Sequence, residues 1–550
     1  MRGLMMDDPL LITEIMRFAD RNFPASEIVS LTADPEPHRY CYADAFQRTR
    51  KLANALSLLG AQTGDRVGTL AWNDYRHLEI YYASSCSGAI CHTINPRLFP
   101  EQIAYIAEHA SDRWIFADPM FTPLLEKLAP QLPRLERVIL LCSAEQMPQT
   151  SLPNVIDYES LIGTESDRFE WPQLEETAAS SLCYTSGTTG DPKGVLYHHR
   201  STVLHAYAAC LPDCMGLANP DTVLAIVPMF HANAWCLPYA CPMVGAKLVL
   251  PGPRMGDPAA LTDLIEHEQV SCSMGVPTVW LGLLQYLEQS GRQIPSLERI
   301  VVGGAACPPT LIEAFEHQHQ VRVHHSWGMT EMSPIGVVNT PTRETERLEP
   351  TERAAISTKQ GRGVFGVRMR IVDDNDVELP WDGNASGRLQ VRGPWVCSGY
   401  FREHGDPNHK DGWFDTGDVA TIDKYGFMQI TDRSKDVIKS GGEWISSIEL
   451  ENLAMGHPAV KEAAVIAVAH PKWSERPLLL VVRKPGQEIT REQMLAWFEG
   501  KVASWWVPDD VCFVDELPHT ATGKIAKIQL RQEFADYELP DQQTGQRGQE

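Results

Sequence analysis

From Thr185 to Gly194 the chain reads Thr-Ser-Gly-Thr-Thr-Gly-Asp-Pro-Lys-Gly, which packs hydroxyls, glycines and one lysine into a turn-rich loop. Glycines such as Gly187 let backbone N–H groups converge on an anion. The hydroxyls of Thr185, Ser186, Thr188 and Thr189 add donors, and Lys193 adds a full positive charge. The chemistry this suits is the holding of a polyphosphate. It is not a Walker loop: a Gly-x-x-x-x-Gly-Lys run followed by Ser or Thr is absent here and at Gly523-Lys524, where Ile525 follows. A second cluster, Ser326-Trp327-Gly328-Met329-Thr330-Glu331, brings an aromatic, a glycine, a hydroxyl and a carboxylate together after the strand-like run Val321 to His325.

The first loop resembles the signature loop of the AMP-forming acyl-CoA synthetase, adenylation-domain and luciferase superfamily, which adenylates carboxylic acids. Further motifs follow in that family's order from about Tyr40 to Leu530. The resemblance places Trp327 by the adenine, Thr330 on the α-phosphate and Glu331, with Thr185, on magnesium. One carboxylate beside a triphosphate suffices, because magnesium prefers phosphate and water oxygens for the rest of its shell. Ser326, Gly328 and Met329 join the nucleotide set. Gly303-Gly304-Ala305 looks like the family's adenine-side turn, where a missing Cβ lets a flat base approach the backbone. Phe414-Asp415-Thr416-Gly417-Asp418 resembles the segment whose last aspartate accepts hydrogen bonds from the ribose hydroxyls, and Arg433 matches the arginine that joins it.

Near the C-terminus, Pro518-His519-Thr520-Ala521-Thr522-Gly523-Lys524 matches the family's Pro-x-Thr-x-x-Gly-Lys loop. This makes Lys524 the catalytic lysine, which relieves the repulsion between an attacking carboxylate and a phosphate. Lys435 occupies the family's hinge position. Lys439, Ser440, Gly441, Gly442, Glu443 and Trp444 match the stretch brought towards CoA and the nucleotide. His231 matches a histidine near the acid carboxylate and the phosphates, and Trp235 resembles the gate of a fatty-acyl tunnel. Gly328 and Pro334 complete the expected acid pocket. The gate stretch and Lys439 to Trp444 look most like the medium- and long-chain fatty-acid branch, which includes methylmercaptopropionate:CoA ligases. The expected activity is an ATP- and CoA-dependent acid:CoA ligase with magnesium as cofactor. The same ATP motifs also fit a luciferase-like oxygenase, an adenylating enzyme for a carrier protein, or an idle nucleotide-binding protein.

These residues need elements to position them. Apolar residues recur at helical spacing from Ala43 to Leu59, Gly60 ends the run, and Arg66 to Ala71 reads as a strand. Strand candidates at Val138–Leu141, Ser181–Tyr184, Val195–Tyr197, Val223–Val227, Lys247–Leu250 and Arg299–Val302 alternate with helical patterns such as Ala259 to His267. That rhythm is α/β with mostly parallel sheets. Past Gly387 the pattern turns to strand and turn. After Asp432-Arg433-Ser434-Lys435 come a helix over Ser447–Met455, strands over Val460–Val468 and Leu478–Val482, and a helix over Arg491–Val502. The expected organisation is a large N-terminal domain (1–432) that includes a distorted β-barrel, a hinge (433–436), a small mobile α+β domain (437–536) and a polar, disordered tail (537–550).

Two tempting signals are declined. Gly361-Arg362-Gly363-Val364-Phe365-Gly366 fits a dinucleotide fingerprint, but Val367 to Val372 after it reads as a strand where a helix is required. The histidines at 317, 319, 324 and 325 lie where a helix runs into a strand and read as solvated side chains. Net charge is −23 over 550 residues, which argues against nucleic acid or an anionic membrane as partner. Thirteen scattered cysteines point to reduced thiols, and no apolar run reaches the roughly 18 residues of a membrane span. A cytoplasmic enzyme is expected, and the family implies a homodimer.

Overall fold

A computed structural model describes the chain except residues 2, 35, 186–190, 404, 406–407, 434–435, 441–442, 520–524 and 541–550, and for 443–444 it describes the backbone alone. The loop core Ser186 to Thr189, Lys435, Gly441, Gly442 and Lys524 therefore lie outside the described residues.

Two large sheets carry the N-terminal part. The first has seven strands in the order 155–157, 137–140, 114–117, 66–70, 90–93, 179–184 and 194–198, parallel except for the final hairpin. The second has nine, and its six central strands, 322–328, 299–302, 272–275, 222–224, 247–250 and 27–30, run parallel. Most residues of these strands are buried, which is why they read as short continuous apolar runs. Helices between them start on side-chain caps: Asp74 accepts from His77 N–H at the head of Tyr75–Cys86, and Asp257 accepts from Ala259 and Ala260 at the head of Pro258–Glu268.

The strand-and-turn region forms a five-stranded antiparallel sheet over 368–372, 387–392, 409–410, 413–422 and 428–433. Arg368–Val372 is indeed a strand, so the glycines before it head no helix. After it comes a second five-stranded sheet over 438–440, 443–445, 460–470, 474–483 and 510–513, with helices Ser447–Met455, Arg491–Ala496 and Lys527–Glu533. Two apolar clusters are built wholly from residues between Ile438 and Leu539, so this module has its own core. The helix expected to run to Val502 stops at Ala496; Trp497 after it keeps helical backbone angles and a backbone bond to the Gln493 carbonyl, and its indole N–H donates to the Leu453 carbonyl at 2.7 Å.

Candidate active site

The carboxyl ends of parallel strands present loops rather than covered edges, and ligands in open α/β sheets bind outside them. Buried Asn73, just past strand 66–70 of one sheet, locks the loop after strand 222–224 of the other. Its Nδ2 donates to the carbonyls of Ala225 and Val227, both at 2.8 Å, and its Oδ1 accepts from Met229 N–H at 2.6 Å. Tyr197 adds a second stitch, donating its hydroxyl to the Thr330 carbonyl. These bonds hold the 225–229 segment against the first sheet and Thr330 against strand 194–198.

At the 185–193 loop the described ends are tied: Thr185 N–H donates to the Lys193 carbonyl at 2.9 Å, and Lys193 N–H donates to Thr185 Oγ1 at 3.1 Å. The Lys193 ammonium lies 4.6 Å from the centre of the Tyr400 ring and 3.3 Å from a Glu403 carboxylate oxygen. Tyr400 in turn donates its hydroxyl to Glu331 Oε1 at 2.8 Å. Burial pushes the Glu331 carboxyl above the usual range, and the Tyr400 bond partly offsets this by favouring the ionised form. Among the described residues Glu331 forms no ion pair.

Strands 299–302 and 322–328 are parallel neighbours, so Gly303 emerges beside Ser326. A Cβ on Gly303 would stand 2.5 Å from Ser326 Oγ and 2.9 Å from the Trp235 ring. Gly304 has φ +81° and follows in the same turn, with Ala305 next. Gly328 is tighter still, because its Cβ would fall 2.0 Å from the Pro334 carbonyl oxygen. That carbonyl accepts from Met329 N–H at 3.0 Å and closes the turn, which contains a cis Ser333–Pro334 bond. Thr330 and Glu331, just inside it, are both buried.

Strand pairing sets Asp418 opposite Arg433. The Arg433 Nε lies 2.9 Å from Asp418 Oδ1, while Trp327 Nε1 donates to Asp418 Oδ2 at 2.9 Å. Asp418 is nearly fully buried and Arg433 half exposed.

His231 is half-buried and precedes a segment of five consecutive non-glycine residues with positive φ, Ala232 to Cys236. Left-handed backbone costs roughly 1–2 kcal/mol per residue, so something must hold it. Asn233 does: its Nδ2 donates to Ser181 Oγ at 2.9 Å, and its Oδ1 accepts from the Tyr81 hydroxyl and the Cys183 thiol, both at 3.3 Å. The twist presents the Trp235 ring to Gly303.

In the C-terminal module, strands 438–440 and 443–445 set Lys439 opposite Trp444 and Ser440 opposite Glu443. Lys439 is exposed, and Ser440 Oγ accepts from Arg476 at 3.1 Å. Buried Asp432 fastens the module's first helix by accepting from Ser447 N–H at 2.6 Å and Ser447 Oγ at 3.1 Å. His519 and Ile525, which flank the loop of Lys524, pair in an antiparallel bridge. His324 and His325 each turn Nδ1 to a backbone carbonyl, of Asn339 and Thr358 respectively.

Sequence reasoning missed Tyr400, Glu403, Asn233 and Tyr197. Tyr400 stands 69 positions from Glu331, and no local pattern marks such a partner. For Asn233 a signal existed: an asparagine within a Phe-His-Ala-Asn-Ala-Trp run is the residue most tolerant of positive φ there.

The chain matches the AMP-binding enzyme family model over residues 18–401 and the AMP-binding enzyme C-terminal domain model over 449–524. It is 50% identical over 536 residues to a 3-methylmercaptopropionyl-CoA ligase of Ruegeria lacuscaerulensis, covering 98% of this chain and 99% of the relative. It is 49% identical over 538 residues to a medium-chain-fatty-acid–CoA ligase of Ectopseudomonas oleovorans, covering 98% of each. The crystal structure of the anthranilate CoA ligase AuaEII in complex with anthranoyl-AMP superposes with a TM-score of 0.85 at 25% identity, over 96% of this chain and 98% of that one.

Proposed function

The chain belongs to the AMP-binding enzyme family as an AMP-forming acid:CoA ligase, and from that membership we propose how its residues divide the work and which acid they serve. In the first half-reaction a carboxylate oxygen attacks the α-phosphorus of ATP, and pyrophosphate leaves. In the second the CoA sulfur attacks the acyl carbon, the thiol proton is lost to solvent, and AMP leaves with the electron pair of the acyl–oxygen bond.

The observation that carries the assignment is the Trp327–Asp418–Arg433 contact, because it joins three separate strands at one carboxylate. Asp418 accepts from the ribose hydroxyls, Trp327 flanks the base, and Gly303, Gly304 and Ala305 form the floor beneath it. Lys193 exchanges Glu403 for phosphate. Thr330 holds the α-phosphate. Glu331 and Thr185 would hold Mg2+: a buried carboxylate that forms no ion pair among the described residues fits a divalent cation. When bound, the ion spreads the charge of the phosphates. Lys524 bridges carboxylate and phosphate in adenylation. The 437–536 domain then turns about 433–436, with Lys435 at the pivot, and carries Lys439 to Trp444 towards CoA. On this reading the enzyme is a cytoplasmic homodimer.

The acid lies between His231, Trp235, Gly328 and Pro334. Methylmercaptopropionate, or a short- to medium-chain fatty acid, is the substrate we assign, supported by the names of two relatives about half identical over nearly the whole chain. The test is pyrophosphate and AMP release with ATP, Mg2+ and CoA across acids from acetate through methylmercaptopropionate to palmitate. A maximum at four to eight chain atoms with acyl-CoA product is expected. A maximum at palmitate would move the assignment to long-chain acids.

A further inference from the structure

Asp432 stands on the large-domain side of the 433–436 segment, fully buried on strand 428–433, where it pairs with Val419 of strand 413–422. Both of its oxygens reach across that segment. Oδ2 accepts from Ser447 N–H at 2.6 Å, and Oδ1 accepts from the Ser447 hydroxyl at 3.1 Å. Ser446, the cap of helix 447–455, donates its own hydroxyl to the Thr431 carbonyl. A carboxylate at the head of a nine-residue helix is favoured by the free N–H groups there.

The relay continues into the last helix of the module. The Lys527 ammonium donates to Ser447 Oγ at 2.6 Å and lies 2.7 Å from Glu451 Oε1, and both charged side chains are only 12% exposed. Glu451 Oε1 also accepts from Val465 N–H at 2.8 Å, which fixes it to strand 460–470. Burial raises the pKa of Asp432 and of Glu451, and the Lys527 charge acts against the rise at both. One ammonium thus serves two buried carboxylates. Lys527 opens helix 527–533 directly after the feet of the 520–524 loop, where His519 bridges Ile525 and Ala526 N–H donates to the Pro518 carbonyl at 2.7 Å. Asp432, Ser447 and Lys527 therefore link the last strand of the large domain to the base of the loop that carries Lys524.

The bonds from Ser446 and Ser447 to Thr431 and Asp432 all span residues 433–436. A turn about that segment moves Ser446, Ser447 and Lys527 and leaves Thr431 and Asp432 behind, so these bonds belong to one pose. We propose that Asp432 and Lys527 are positioning residues that weight this pose of the 437–536 module, and so set how the enzyme divides its time between adenylation and thioester formation. This rests on the domain turn proposed above and adds the contacts that bias it. A group shifts a two-state equilibrium only by the difference between its interactions in the two states. For Asp432 that difference is two hydrogen bonds to a buried charge.

Asp432→Asn, which keeps the volume and one acceptor oxygen, and Ser447→Ala, which removes only the hydroxyl between Asp432 and Lys527, are compared with the full-length wild type. Two rates are read with the best acid of the panel above: acid-dependent pyrophosphate release, and acyl-CoA formation from the synthetic adenylate. Expected is a change in the ratio of the two rates by roughly three- to tenfold, the span of one or two lost hydrogen bonds, with thermal melting as the folding control. Lys527→Met should shift the ratio in the same direction, and Lys527→Arg should keep it near the wild-type value. A parallel change in both rates, or an unchanged ratio in both Asp432→Asn and Ser447→Ala, makes the cluster a purely structural one and overturns the proposal alone. The domain turn itself is read in Lys435→Pro, which restricts the backbone at the pivot. Loss of one half-reaction with the other kept is expected there, and full activity in both overturns the turn and the proposal with it.

Discussion

Trp327 and Asp418 stand 91 positions apart, yet the indole Nε1 of one donates to the carboxylate Oδ2 of the other at 2.9 Å. The second oxygen of that carboxylate faces the Arg433 guanidinium, also at 2.9 Å. One buried anion thus fixes an aromatic plane on one strand and a cation on another.

Asp418→Ala should therefore weaken nucleotide use in both half-reactions, since ribose is present in ATP, acyl-adenylate and AMP alike. It also leaves the Trp327 N–H buried without its acceptor, at a cost of about 1–3 kcal/mol. The check is KM for ATP in adenylation, the rate of thioester formation from supplied acyl-adenylate, and the melting temperature. Unchanged ATP affinity and rates in the variant would refute the ribose role. Trp327→Phe separates the terms, because it keeps a ring by the base while releasing the carboxylate.

Two glycines of the site should respond differently to alanine. At Gly328 the added methyl meets the Pro334 backbone carbonyl at 2.0 Å, and backbone cannot swing aside. At Gly303 it meets Ser326 Oγ at 2.5 Å and the Trp235 ring at 2.9 Å, both side-chain atoms. Gly328→Ala should cost about 3 kcal/mol or more in unfolding free energy, at the upper end for overpacking, and Gly303→Ala less. Gly303→Ala should instead raise KM for both ATP and acid. Denaturant melts and two-substrate kinetics measure the two effects, and an equal stability loss at both positions would contradict the geometry.

Glu331 supplies a pH dependence. Burial raises its pKa above the usual carboxylate value while the Tyr400 hydroxyl pulls the other way. A folded pKa above the unfolded one means the native state holds the proton more tightly. The resulting stabilisation is full below the unfolded pKa and is lost as pH rises through the folded one. The ionised form, which a metal requires, predominates only above that window. Tyr400→Phe removes the offsetting donor but keeps the aromatic face beneath Lys193. The acid limb of the kcat/KM profile should move to higher pH, with activity largely regained on the alkaline side. A profile that only drops in height would show that Tyr400 acts by packing.

The sequence made the motifs legible because each is local: strand 299–302 with its glycine turn, strand 322–328 with Glu331 shortly past its end, and strand 413–422 with Asp418 in its middle are all contiguous runs whose patterns survive without tertiary context. What it hid are contacts at long separation. Tyr400 on Glu331 and Asn73 across the two sheets are set by packing, and each is an ordinary polar residue in its own neighbourhood; the partners of Asn233, within the left-handed segment, are likewise distant in sequence.

On the proposed assignment, Lys524 divides the two half-reactions. During adenylation two negatively charged groups must meet, and a lysine placed between them stabilises the charge that accumulates in transfer, an effect commonly worth several kcal/mol. In thioester formation the nucleophile is a thiol and the electrophile a neutral acyl carbon, so that repulsion is absent. Lys524→Ala should lose adenylation by a factor on the order of a thousand, the size seen when one charge-stabilising donor is removed, while thioester formation from supplied acyl-adenylate falls far less. The measurement is acid-dependent pyrophosphate release set against acyl-CoA formation from the synthetic adenylate, in the same variant. Equal losses would mean that Lys524 serves nucleotide binding or domain placement in both steps, and the bridging role would pass to another cation of the site, with Lys193 and Arg433 the first to examine.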